Sequence, residues 1–230
     1  MRNQNLVLIG FRGCGKRQFG KALAEVLELP FADLDEEIHY VTGTTIEAYT
    51  EEHGWQNFRE VEQRVAHDYT RNFAGIVATG VASIENSKNL QNLKKTGKFI
   101  FLNPNYSVIR KQLLKDPDFP RMNPDIPLAM EIDQMWQMRK DIYRASGDFE
   151  VEPDLNGDPL EEAKKIVAQL PKDVIPFALK KKRIAVFASG NGTTLKGLQM
   201  KKDKGRIPNV AFGLFVTDNP EAPAIEVAKE

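Results

Sequence analysis

Cysteine, histidine and net charge are all scarce in this 230-residue chain, which has one cysteine, three histidines and equal numbers of basic and acidic residues. With Cys14 alone, neither a disulfide within the chain nor a cysteine-built metal site can form, and a reducing compartment fits best. His39, His53 and His67 read as surface helix or turn residues. No apolar run approaches the roughly 20 residues that cross a bilayer. Met1-Arg2-Asn3-Gln4-Asn5 leads straight into the first apolar run, without the core of a signal peptide. A cytoplasmic protein with no membrane partner is therefore expected. The 32 basic and 32 acidic residues cancel, which argues against a nucleic-acid partner for the chain as a whole. Their distribution is uneven: residues 180–206 carry nine Lys/Arg and one acid. That block can attract phosphate or be a solvated linker and helix face. No aromatic residue interrupts Lys180-Lys181-Lys182-Arg183, so nucleic acid is not expected there either.

Short apolar runs recur at Leu6–Ile9, Phe31–Leu34, Gly75–Thr79, Lys98–Leu102 and Phe149–Val151, separated by amphipathic or polar stretches. This alternation predicts an α/β layered domain with a mainly parallel sheet. Residues 116–127 hold four prolines, resist regular structure and suit a mobile lid. Glu161–Leu170 reads as a closing helix, and residues 171–182 as a linker. A second unit, residues 183–230, is expected to form a partial Rossmann-like βαβα segment. With strands at Ile184–Phe187 and Asn209–Thr217, it is smaller than most units that fold unaided. It would dock on the first domain, pair with another copy or open a longer C-terminal continuation.

The most informative motif is Gly10-Phe11-Arg12-Gly13-Cys14-Gly15-Lys16, between a predicted strand and a helix whose apolar face runs through Phe19, Ala22, Leu23 and Val26. A glycine-rich loop in that setting turns backbone N–H groups toward phosphate, the helix presents its positive end, and Lys16 reaches the terminal phosphates. Cys14, near the helix N-terminus, is either a reactive thiol or a small filler. Position 17 departs from the pattern. A Ser or Thr hydroxyl there would ligate magnesium, whereas Arg17 has no lone pair to give and repels a dication. The amide oxygen of Gln18 lies one position further along the helix. Three readings follow: Arg17 contacts phosphate and partly replaces the metal's charge, magnesium is held through water and acidic side chains, or nucleotide binds without turnover.

Asp33 and Asp35 flank Leu34 at the end of the second predicted strand, where alternation would put both carboxylates on one side. Such a pair can divide metal anchoring from hydroxyl activation. Asp35-Glu36-Glu37 would equally suit a helix start.

Gly10-Phe11-x-Gly13-x-Gly15-Lys16, Phe31-x-Asp33-Leu34-Asp35-Glu36-Glu37-Ile38, Thr42-Gly43-x-x-Ile46, Phe58-Arg59-Glu60-x-Glu62 and Ala78-Thr79-Gly80 occur in the order and approximate spacing of shikimate kinases. The similarity runs from residue 5 to about 170. It implies a P-loop nucleoside monophosphate kinase fold, an α/β five-stranded parallel sheet with flanking helices, and transfer of the terminal phosphate of ATP to the 3-hydroxyl of shikimate. By that resemblance Gly10, Gly13, Cys14, Gly15, Lys16, Arg17 and Gln18 bind ATP, Asp33 belongs to the magnesium shell, and Asp35 holds the shikimate hydroxyls. Arg59 and Arg139 take the substrate carboxylate, Gly80 lies at the substrate wall, and Arg121 is the lid arginine. The family's glycine run after the third strand here reads Gly80-Val81-Ala82, and β-branched Val81 does not easily adopt positive φ.

The stretch from Arg183 to Leu195, with Ser189-Gly190-Asn191-Gly192-Thr193 between strand and helix, resembles the opening of phosphoribosylglycinamide formyltransferases, where such a loop grips a phosphate. Counterparts of that family's catalytic Asn, His and Asp do not occur in residues 183–230. The leading expectation is a kinase of a shikimate-like hydroxy acid, dependent on ATP and a weakened or water-mediated magnesium site. The alternatives are a pseudokinase that binds nucleotide or metabolite, and a fragment of a larger fusion enzyme.

Overall fold

The computed structural model describes residues 5–80, 83–117, 119, 121, 123–175, 182–187, 193–203 and 210–229. It divides into two compact units, residues 1–177 and 178–230.

In the first unit, Leu6, Val7, Leu8 and Ile9 are entirely buried, so β1 (Asn5–Ile9) is apolar on both faces, as a central parallel strand must be. It pairs with β3 (Gly75–Ala78) on one side and β4 (Gly97–Leu102) on the other. β2 (Phe31–Asp33) and β5 (Phe149–Val151) complete a parallel sheet of order β2-β3-β1-β4-β5. The connections reverse direction on either side of β1, which opens a crevice at its carboxyl end. The phosphate-binding loop lies at that end.

Helices cover both faces. α1 (Lys16–Val26) buries Phe19, Ala22 and Leu23 against the sheet. α2 (Leu34–Thr42) follows β2 without a loop, and α3 (Ile46–Asn72) is broken at Gly54, whose φ of 79° no helix tolerates. α4 (Ser87–Lys94), α5 (Tyr106–Leu113), α6 (Leu128–Ser146) and α7 (Pro159–Gln169) follow. Asn86, Asn105 and Asp158 cap α4, α5 and α7 by accepting backbone N–H bonds that would otherwise be unmade. Phe11, Phe19, Phe99, Phe101 and Tyr143 are fully buried in one continuous core, each worth about 1.5–3 kcal/mol of transfer free energy.

The second unit contains β6 (Lys182–Phe187), α8 (Thr193–Asp203), β7 (Val210–Val216) and α9 (Ala224–Lys229). β6 and β7 pair in parallel, with Gly213 as an extra residue between paired positions. Val186, Leu195, Ala222 and Ala224 are buried. Ser189, Gly190, Asn191 and Gly192 lie outside the described residues, and Thr193 opens α8.

Candidate functional site

Phosphate-loop geometry follows from its glycines. Gly15 closes the loop in the left-handed region at φ 86°, and a Cβ there would sit 2.6 Å from the ring of Phe19. Only glycine lets the chain turn into α1 against that ring. Cys14 is fully buried, and burial pushes its thiol up. It is a packing residue rather than a reactive thiol. Lys16 folds back over the loop, its Nζ donating to the carbonyls of Gly10 at 2.9 Å and Phe11 at 3.0 Å.

A cavity of about 600 Å³ opens beside this loop, lined by Arg12, Lys16, Arg17, Gln18, Lys21, Asp33, Asp35 and Thr79 among others. Four cationic side chains face two carboxylates. Arg12 and Lys21 were not anticipated as site residues, although Lys21 stands one helical turn after Arg17 and so shares its face.

The two aspartates are not related by strand alternation. β2 ends at Asp33, and Leu34 is already helical. Asp33 caps α2, its Oδ1 accepting from the Asp35 backbone N–H at 3.0 Å. The capping bond turns the chain and brings Asp35, in the first helical turn, to the cavity wall. Thus the capping reading is correct for Asp33, and Asp35 reaches the site by a helical route. Gly80 lies so close that a Cβ on it would be 2.6 Å from Asp35 Oδ1. Burial first, and then the neighbouring charge of Asp33, raise the Asp35 carboxyl from 3.8 to about 6, while Lys16 and Arg12 oppose the rise.

Arg17 is held by the carboxylate that the sequence reading assigned to the metal. Its Nε donates to Asp33 Oδ2 at 2.8 Å, and a terminal nitrogen lies 3.5 Å from Glu36 Oε1. The hydrogen bond to Asp33 makes the guanidinium still harder to deprotonate. Asp33 is almost buried, at 7% side-chain exposure, and both its oxygens are engaged. A magnesium site of the expected kind needs a hydroxyl at position 17 and an available carboxylate at position 33. The residues present do not fit that ion.

The other three arginines expected at the site are likewise paired within the protein. Arg59 donates to Glu62 Oε2 at 2.8 Å, and the other oxygen of buried Glu62 accepts from Ser83 Oγ at 2.7 Å. The guanidinium also lies over the rings of Trp55 and Phe58. Arg139 donates from Nε to Glu85 Oε1 at 2.5 Å. It lines a second cavity of about 510 Å³ with Glu85, Ile126, Glu131, Met135 and Met138. Ser83 and Glu85 follow β3, so one segment secures both arginines. Val81 and Ala82, between Gly80 and that segment, lie outside the described residues. Arg121 donates to Glu131 Oε2 at 2.5 Å and to the Asn123 carbonyl at 3.0 Å. It is tied to its own segment and the start of α6, rather than to the phosphate loop. Glu62, Glu85 and Glu131 were not anticipated as partners; Glu85 and Glu131 lie 54 and 10 positions from their arginines, whereas Glu62, three positions from Arg59 on α3, could have been found from the i,i+3 spacing.

The shikimate kinase family model matches residues 12–171. The chain belongs to the shikimate kinase family. The shikimate kinase of Caldicellulosiruptor bescii is 32% identical over 170 residues, which span 74% of this chain and 98% of the relative. That of Thermodesulfovibrio yellowstonii is 32% identical, spanning 72% and 94%. Among solved structures, shikimate kinase from Acinetobacter baumannii in complex with shikimate matches with a TM-score of 0.65 at 29% identity, covering 72% of this chain and 91% of its own. Shikimate kinase from Aquifex aeolicus matches with a TM-score of 0.61 at 29% identity, covering 71% and 94%. The family match lies within the first unit and stops at residue 171, before the second. Among the described residues, no helix is long and apolar enough to cross a membrane.

Proposed function

We propose that the protein transfers the terminal phosphoryl group of ATP to the 3-hydroxyl of shikimate or a similar small hydroxylated acid in the cytoplasm. One observation carries this reading: Asp35, raised to about 6, shares a cavity with Lys16 of the phosphate loop. A carboxylate in that range is ionised at neutral pH yet basic enough to accept a proton as a hydroxyl attacks. The acceptor oxygen would bond to the γ-phosphorus as the bond to the β–γ bridging oxygen breaks. ADP leaves, and the hydroxyl proton passes to Asp35. Lys16 would exchange the carbonyls of Gly10 and Phe11 for phosphate oxygens and offset the charge on the transferring group.

Nucleotide phosphates would lie on the N–H groups of residues 13–18, at the start of α1. The family implies magnesium alongside ATP, but the Arg17–Asp33 pair leaves the ion no position of the usual kind, and no step here depends on it. A cavity of about 450 Å³ lined by Tyr106, Trp136 and Leu155 suits the base, since Leu155 also packs against Gly15. On the acceptor side, Arg59 and Arg139 would present planar donor forks to the carboxylate. Arg139 would have to exchange Glu85 for the substrate. Arg121 would close over the nucleotide once released from Glu131.

The test is ADP formation from ATP with and without shikimate, in the wild type and in Lys16→Ala. Shikimate-dependent turnover that disappears in the variant supports the kinase reading, and ATP consumption indifferent to shikimate opposes it. A second reading, a pseudokinase that binds nucleotide or metabolite as a regulatory module, is favoured by one observation. Arg17, Arg59, Arg121 and Arg139 each face a carboxylate of the protein itself. Binding of ATP and shikimate without ADP formation would select it.

For the second unit we propose a phosphate-binding segment related to phosphoribosylglycinamide formyltransferases, either part of a larger fusion enzyme or a docking element. Its support is the sequence of residues 183–195 and the strand-to-helix order from β6 to α8. Titration of the full chain with glycinamide ribonucleotide, before and after Gly190→Val, tests it: binding that the substitution abolishes is the expected result.

A further inference from the structure

We infer that the Arg17 guanidinium takes the place of the divalent cation, so that the loop binds the free nucleoside triphosphate and gains no affinity from magnesium. This rests on the nucleotide-binding reading above and deepens it. Three observations carry it.

Both protein anchors for the ion are gone. Position 17 offers a cation instead of a hydroxyl, and Asp33 has one oxygen on the Asp35 backbone and the other on Arg17 Nε. Because Asp33 is nearly buried and caps α2, turning it toward a metal would break the cap and the ion pair together.

Arg17 is also free to serve two masters. It is 54% exposed on the cavity wall, and its five N–H donors outnumber the two carboxylates it faces. Asp33 and Glu36 therefore orient the guanidinium, while its remaining donors can point to phosphate oxygens in the planar geometry that suits them.

Charge supplies the third argument. Arg12, Lys16, Arg17 and Lys21 line the cavity against Asp33 and Asp35, a surplus of about two positive charges on its wall that exposed Glu36, just outside it beside Arg17, offsets in part. A magnesium ion likewise brings positive charge to a triphosphate, but a mobile dication beside fixed guanidinium and ammonium groups would be repelled. The cavity therefore selects the uncomplexed tetra-anion, and magnesium acts mainly by sequestering that form in solution.

The test is calorimetric titration of the full chain with ATP in EDTA and in saturating magnesium, for the wild type, Arg17→Ser and the double variant Arg17→Ser, Gln18→Thr. Expected is wild-type affinity in EDTA equal to or tighter than in magnesium. The variants, which regain a hydroxyl at position 17 and release Asp33, should be tightened by magnesium by about tenfold, within the range for adding one supporting group to a metal site. Electron paramagnetic resonance of Mn²⁺–ATP gives an independent readout. Wild-type protein should strip ATP from the ion and raise the free Mn²⁺ signal, and the double variant should lower it. Magnesium tightening the wild type as much as the double variant would overturn the inference while leaving nucleotide binding intact. Absence of ATP binding by the folded wild type under both conditions would overturn the nucleotide reading, and this inference with it.

Discussion

Replacing Asp35 with Asn isolates the cost of holding a carboxylate in the cavity. Burial and Asp33 raise the group from 3.8 to about 6. At about 1.4 kcal/mol per tenfold change in proton affinity, the ionised carboxylate costs the folded state at most about 3 kcal/mol. Asp35 is only partly buried, and solvent reaching it brings the expected value to about 1–3 kcal/mol. The sign follows from linkage: a carboxyl whose folded value is raised destabilises the fold fully above about pH 6, and that penalty vanishes as pH falls through the unfolded value near 4. Asp35→Asn should therefore melt higher than the wild type at about pH 8, by roughly 2–4 °C per kcal/mol for a domain of this size. The gap should close by about pH 4. Thermal unfolding followed by circular dichroism across that range is the assay. The groups facing Asp35, namely Asp33, Glu62, Lys16 and Arg12, are retained in the variant and contribute to both curves. A melting difference independent of pH, or a variant less stable at about pH 8, would refute the argument. The same substitution removes the proposed proton acceptor, so turnover should fall by about 10²–10⁴-fold. Wild-type activity should also decline as pH drops below about 6.

Three further outcomes are expected. Glu85→Ala frees the Arg139 fork, so calorimetric affinity for shikimate should rise about tenfold, as for removal of an internal competitor for a charged hydrogen bond. Gly80→Ala places a methyl 2.6 Å from Asp35 Oδ1 and displaces the carboxylate; kcat should drop on the order of 10²-fold with little change in melting temperature, measured by steady-state kinetics beside calorimetry. Ser83→Ala leaves buried Glu62 with one partner fewer, which should cost about 1–3 kcal/mol in denaturant unfolding and raise KM for the acceptor through Arg59.

The parallel sheet was legible because five short apolar runs alternate with helical stretches, and each run became a strand within two residues of its expected limits. Helix capping explains the main local error. Alternation extends β2 through Leu34, but the Asp33 side chain takes the Asp35 N–H and ends the strand one residue earlier. The glycine-rich loop could be read because its chemistry is local to seven residues. Arg17 could be marked as incompatible with a hydroxyl ligand for the same reason. What it touches could not be read, since Asp33 lies sixteen positions away and approaches only because β2 reaches β1 through β3. The partners of Arg121 and Arg139 were hidden similarly, whereas Glu62 stands three residues from Arg59 on one helix and its pairing was open to local reading. Local sequence proposes an arginine as a ligand for an anion, but tertiary structure decides which carboxylate holds it beforehand.

Phosphorus NMR of a mixture of ATP, shikimate and the protein, followed over time, tests the kinase assignment most directly. A kinase of this kind should produce a new phosphomonoester resonance, split by the proton on the 3-carbon of shikimate. It should grow in step with loss of the γ-phosphate signal and appearance of ADP, and be absent with Lys16→Ala. Persistence of the ATP resonances, or their conversion to inorganic phosphate alone, would contradict phosphoryl transfer to the acceptor.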